Sequence, residues 1–92
     1  MPVEVRIPTM LRSAVGGSST VSVEGATIGE ILDELGRRFP ALTGQVVTDD
    51  GSLHKFVNVY LNDDDIRYLA KLDTKVGEGD TISILPAVAG GA

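Results

Sequence analysis

"VSVEGATIGEILDELGRRFP", residues Val21 to Pro40, changes period in the middle, and that change decides the fold. Val21 and Val23 alternate with Ser22 and Glu24, the two-residue repeat of a half-buried strand, until Gly25 breaks the pattern. From Thr27 the repeat is helical: Ile28, Ile31, Leu32, Leu35 and Phe39 form one apolar stripe. Thr27 opens a capping box, its hydroxyl placed to accept from the Glu30 amide while the Glu30 carboxylate reaches back. Acids come early (Glu30, Asp33, Glu34) and arginines late (Arg37, Arg38), which suits the helix dipole. Asp33/Arg37 and Glu34/Arg38 are candidate i,i+4 pairs. Pro40 ends the helix by driving Phe39 out of helical geometry.

On either side of this strand-to-helix unit the chain reads as strands. Val3, Val5 and Ile7 alternate with Glu4, Arg6 and Pro8, and the glycine/serine stretch Ala14 to Thr20 turns this strand into the one at Thr20–Glu24. Downstream, Phe56 to Asn62 is a third strand with Val57, Val59 and Leu61 on one face. "NDDD" (Asn62 to Asp65) turns the chain, Ile66 to Tyr68 is a short edge strand, "GEGD" (Gly77 to Asp80) is another turn, and Thr81 to Leu85 is the last strand with Ile82 and Ile84 inward. Residues 41–55 remain ambiguous. The expectation is an α+β fold in one domain, residues 1–92: a mixed sheet with one main helix on one face, a core over about 1–85 and a flexible tail over 86–92. With roughly fifteen inward apolar side chains, such a domain can stand alone. If the last strand lies beside the first, both are central and the tail leaves from the stiffest part of the sheet.

Composition removes most function classes. No apolar run approaches the roughly 18 residues of a membrane span, and the alternating N-terminus lacks a signal-peptide layout, so a cytoplasmic protein is expected. Thirteen acidic residues against eight basic ones give a net charge of −5. Beyond Arg37-Arg38 there is no basic cluster for phosphate, and four aromatics without tryptophan offer no base-stacking platform, so nucleic acid is not an expected partner. If charge steers the domain at all, it steers it toward a basic protein surface. His54 is the lone histidine and there is no cysteine, which rules out a catalytic triad, a Cys/His dyad or a zinc set. Asp63-Asp64-Asp65 lacks the spacing of a calcium loop and reads as a turn. No nucleotide-binding loop is present. The chain does not read as an enzyme.

What remains is a surface and a tail. Opposite the inward residues of the last two long strands lie Phe56, Tyr60 and Leu85, a candidate partner surface unless residues 41–55 cover it. The tail, "PAVAGGA" (Pro86 to Ala92), has no charge and no side chain larger than valine. Its first six residues span up to ~20 Å when extended. Glycine lets backbone approach a catalytic centre closely.

Together these elements, with "IPTMLR" (Ile7 to Arg12), "LHKFVNVYLNDDDIR" (Leu53 to Arg67) and "GDTISILPAVAGG" (Gly79 to Gly91), resemble the ubiquitin-like β-grasp sulfur carriers of the ThiS and MoaD families. Within them the likeness is closest to the CysO type of actinobacterial cysteine biosynthesis, and it covers essentially the whole chain. The resemblance implies that an E1-like adenylating enzyme activates the Gly91 carboxylate with ATP, and that sulfide converts it to a thiocarboxylate. Gly91 then carries the sulfur, and Ala87, Val88, Ala89 and Gly90 thread the partner's channel. Further implied partners are a PLP-dependent cysteine synthase or another sulfur-accepting enzyme, and a zinc metalloprotease that acts at Gly91. The carrier itself holds no cofactor or metal. Alternative acceptors are a molybdopterin precursor, a thiazole or a thiosugar-type metabolite; attachment to lysines as a protein modifier is a different use of the same tail. Ala92 departs from the family pattern, because it locks Gly91 in an amide. It is either a precursor residue that a protease removes or a residue added to the end.

Overall fold

The computed structural model describes residues 2–42, 44–48, 54 and 57–86. Five strands form one sheet: β1 (Pro2–Arg6), β2 (Thr20–Glu24), β3 (Val57–Leu61), β4 (Asp64–Asp65) and β5 (Thr81–Pro86), in the order β2-β1-β5-β3-β4. β1 pairs antiparallel with β2 and parallel with β5, while β3 runs antiparallel to both β5 and β4. The sheet is mixed, as expected, and β5 does lie beside β1, the arrangement the sequence left as a condition. One α-helix, α1 (Ile28–Arg38), packs on one face.

The two periods meet in one core. The helix buries Ile28, Ile31, Leu32 and Leu35, and the sheet buries Val3, Val5, Val21, Val23, Val57, Val59, Ile82 and Ile84 in the same cluster. Phe39 packs only partly against it. The Glu30 amide donates to Thr27 Oγ1 at 3.2 Å, but the Glu30 carboxylate accepts from the Ala26 amide at 2.9 Å, one residue further back than in a standard capping box. The segment Thr74–Val76 pins this end: Ile28 N donates to Thr74 O and Val76 N to Ala26 O. Arg37 pairs with Asp33 at 2.7 Å as expected. Glu34, however, faces Arg37 at 3.7 Å, because Arg38 turns away to donate to Ser22 O and to lie over the Phe39 ring.

Two local expectations change. Between β1 and β2 the chain forms a 3-10 helix, Thr9–Val15, that buries Leu11 and Val15. It ends at Gly16, whose φ of 72° is the left-handed conformation glycine adopts freely. The edge strand is Asp64–Asp65, and Ile66–Tyr68 is a 3-10 turn instead. The reason is Asp65, whose buried carboxylate accepts from Arg67 N at 2.9 Å and from Arg67 Nη2 at 2.8 Å, closing a turn where extended backbone was expected. Asn62 takes a positive φ of 57°, tolerable for asparagine, while its Oδ1 accepts from Thr81 N. In the 41–55 stretch, Leu42 and Val46 join the core; Asp49 to Leu53 lie outside the described residues.

The Arg67 hydrogen bond holds the Asp65 carboxyl below its ordinary value of 3.8, outweighing the opposing effect of burial. A depressed folded value means that this contribution is present above the ordinary value and is lost as pH falls through the folded one. Asp65→Asn should cost about 1–3 kcal/mol at neutral pH, the range for breaking a buried charge-assisted hydrogen bond. Urea midpoints of the two proteins should converge as pH is lowered below 3.8; a constant gap would refute the assignment.

Candidate functional site

β5 delivers the tail. It lies between β1 and β3, with Ile82 beside Val5 and Leu61 and with Pro86 beside Val57. Thr81 to Ser83 pair with β1 on one side, and Pro86, where the tail leaves, is paired with Val57 of β3 alone. The residues proposed to carry and thread the sulfur (Ala87, Val88, Ala89, Gly90 and Gly91) and Ala92 lie outside the described residues.

Of the predicted partner surface, Tyr60 and Leu85 sit on the sheet face away from α1. Leu85 is 43 % exposed and Tyr60 half-buried. Leu85 stands opposite Asn58, and Tyr60 opposite Ser83, so the two are on adjacent strands one step apart. Phe56 lies outside the described residues. Asn58 adds a polar feature: its Oδ1 is buried without a hydrogen-bond partner, beside Leu85.

A second feature at the tail root was not assigned a role by the sequence. Between residues of the 3-10 helix Thr9–Val15 and the end of β5 a groove opens, lined by Arg6, Pro8, Met10, Arg12, Leu85 and Pro86 among others. Met10 is 55 % exposed while its neighbour Leu11 is buried. The available signal was the "IPTMLR" stretch itself, an apolar Met-Leu pair directly after a strand that already had its inward residues.

Titration behaviour is structural. Among the described residues, Asp65, Arg67 and Arg37 are displaced, each first by a side-chain hydrogen bond within its own ion pair. No group of three or more His, Asp or Glu side chains that could hold a metal occurs among the described residues. The described surface offers shape and charge for a partner together with a base for a terminus.

Residues 5–91 match the ThiS family model, and the chain belongs to that family. It is 42% identical over 93 residues to the sulfur carrier protein CysO of Mycobacterium tuberculosis, an alignment spanning 99% of this chain and all of that protein. It is 32% identical over 93 residues to small archaeal modifier protein 3 of Haloferax volcanii, again across 99% of this chain and all of that protein. Among solved structures, it superposes on a chain of the Amycolatopsis orientalis BexX/CysO complex with a TM-score of 0.87 and 45% identity, covering 96% of this chain and 98% of that one. A ubiquitin-like β-grasp sheet with one helix packed on it is therefore the architecture this chain shares with sulfur carriers.

Proposed function

We propose that this chain is a sulfur carrier whose cargo is held on the carboxylate of Gly91. The observation that carries the reading is the place from which the tail starts. A charge-free strip containing Gly90-Gly91 follows directly from Pro86, the last residue of a strand that lies between β1 and β3 and pairs at that end with Val57. A rigid body can then be docked by one enzyme surface while its terminus reaches a separate catalytic centre. The family match also runs to Gly91 and stops one residue short of Ala92.

The chemistry belongs to partners. An E1-like enzyme joins the Gly91 carboxylate oxygen to the α-phosphorus of ATP, and pyrophosphate leaves. Hydrosulfide then adds to the acyl carbon and AMP departs, leaving a thiocarboxylate and a released proton. The chain has no cysteine, so its terminus is where it can hold a transferable sulfur. The thiocarboxylate is passed on, in the leading reading to an aminoacrylate on a PLP-dependent cysteine synthase, where an acyl shift gives a cysteine adduct that a zinc metalloprotease releases. In this reading the carrier works in the cytoplasm. No helix among the described residues is long and apolar enough to cross a membrane. Ala92, in this reading, is removed by the same kind of protease before Gly91 is activated.

The test is to incubate the protein ending at Gly91 with an E1-like enzyme, ATP and sulfide and to measure intact mass. The expected result is the gain of one sulfur in place of one oxygen; an unchanged mass refutes the proposal. For Ala92, loss of one alanine on treatment of the full chain with the metalloprotease is expected, and an unchanged mass eliminates the precursor reading. A second reading, a modifier attached to lysines through Gly91, is favoured by the whole-length similarity to an archaeal modifier protein. Isopeptide-linked adducts recovered from cells would support it, whereas a thiocarboxylate without adducts supports the carrier.

A further inference from the structure

Two features of the molecule have no role in the fold or in the carrier reading. The first is a cavity of about 490 Å³ between α1 and the residues that follow it, with apolar walls from Leu32, Leu35, Leu42, Val46 and Leu72. Gly36 and Asp33 line it as well. A glycine inside a helix costs stability relative to alanine. Here neither backbone nor packing asks for one: Gly36 has no left-handed φ, and a Cβ placed on it would meet nothing within 4 Å. Gly29, on the same helix and also lining the cavity, differs, because its Cβ would press on Leu72 O at 3.1 Å. Gly36 thus keeps space open for something outside this fold. The second feature is a projection. Tyr68 is 86 % exposed and its neighbour Leu69 42 %. Asp65 holds the turn Ile66–Tyr68 through the Arg67 amide, and Lys71 takes a φ of 55° that residues with a side chain rarely adopt. The backbone that presents the apolar pair is therefore set on both sides of it.

Charge connects the two. Residues 66–75 carry Arg67, Lys71 and Lys75 against Asp73, a basic excess in a chain of net charge −5. Arg67 is paired with Asp65, but Lys71 and Lys75 have no ion pair with another described residue. Acids stand elsewhere. Residues 28–36 of α1 carry Glu30, Asp33 and Glu34 and no base, although Arg37 offsets Asp33. Asp63, Asp64, Glu78 and Asp80 lie on two turns at the Thr81 end of β5, which Asn62 ties together through its bonds to Asp80 and Thr81. A basic projection thus complements the acidic surface of this same chain, and local complementarity of this kind steers association. We infer that the cavity takes up a second copy of this chain. Tyr68, with Leu69, seats against Gly36 and the apolar walls of the other molecule, while Lys71 lies toward the acids of its α1. Tyrosine suits the place, because it combines a large apolar body with a polar tip. Each molecule carries both the projection and the cavity, so one two-fold arrangement engages both at once. Neither Leu85 nor Pro86 lines the cavity, so seating Tyr68 there does not occupy the start of the tail. The inference stands apart from the carrier reading.

The experiment is sedimentation equilibrium of the full chain from about 1 μM to about 1 mM, the span over which weak association is read. A monomer–dimer equilibrium is expected, and it should weaken as salt is raised. Tyr68→Ala should raise the dissociation constant by roughly 10- to 100-fold, the size of losing one interface anchor, whereas Tyr68→Phe should leave it nearly unchanged. Lys71→Glu should weaken the dimer and remove most of its salt dependence. Gly36→Leu should weaken it as much as Tyr68→Ala by filling the cavity, yet raise the melting temperature, because a better helix former enters where no atom stands within 4 Å of its Cβ. Damage to the fold would lower both readouts, so this variant keeps the test decisive even if Tyr68→Ala does not fold. A chain that stays monomeric up to about 1 mM overturns the inference. A dimer that folded Tyr68→Ala and Gly36→Leu leave untouched overturns it equally.

Discussion

Deleting Gly90 and Gly91 should abolish thiocarboxylate formation completely while leaving the melting temperature unchanged. The two halves of this expectation have separate physical causes. Stability resides in a core whose described buried apolar side chains run from Val3 to Ile84, and glycines have no side chain to add to such a core. Sulfur loading, by contrast, depends on an acyl carbon that can enter a catalytic centre. Without the glycines the terminus is too short by two residues and carries a Cβ at its last position, which blocks close backbone approach. Intact mass after incubation with the activating enzyme, ATP and sulfide reads one half, and a thermal melt reads the other. Residual loading on the shortened chain would mean that sulfur sits elsewhere; a large fall in melting temperature would mean that the tail is part of the fold.

The largest loss of stability is expected from Ile82→Ala. Ile82 is fully buried on β5, next to Val5 on one side and Leu61 on the other, and it faces the helix stripe. Emptying a site surrounded in this way removes transfer energy and leaves a cavity that the flanking strands cannot close, about 2–5 kcal/mol in all. Against a total stability of about 5–15 kcal/mol, that is a major fraction. A domain of this size should melt about 4–8 °C lower for each kcal/mol lost. Ser83→Ala, one residue on and facing the other way, should change stability by less than about 0.5 kcal/mol. Equal effects of the two substitutions would contradict the inward and outward assignment of β5.

Elements of this chain that rest on nearest-neighbour chemistry were readable from the letters. The α1 stripe, the Thr27 cap, the alternation of β1, β2, β3 and β5, and the Asp33–Arg37 pair all depend on residues within four positions of one another. The elements that differed depend on distant partners or on competition between near ones. Arg38 could have met Glu34, yet Ser22, sixteen residues away on β2, offers a carbonyl at 2.6 Å and Phe39 offers a ring. The Ile66–Tyr68 segment has strand-like composition, yet Asp65 finds Arg67 two residues on and closes a turn. The 3-10 helix Thr9–Val15 has no clear period; it exists because Leu11 and Val15 have a core to enter.

The sequence by itself determined the periods, the helix α1, the absence of cysteine, and the smallness of the tail, because each is a property of residue types and their spacing. Only the tertiary structure decided that β5 lies between β1 and β3, that the acids gather at one end of it, and that Arg6, Met10, Arg12 and Leu85 converge at the other. Strand order and register are set by which apolar faces can be buried together, and that is a question about the whole chain at once. A net charge can be counted along a line, but a charged groove exists only after the line has been folded.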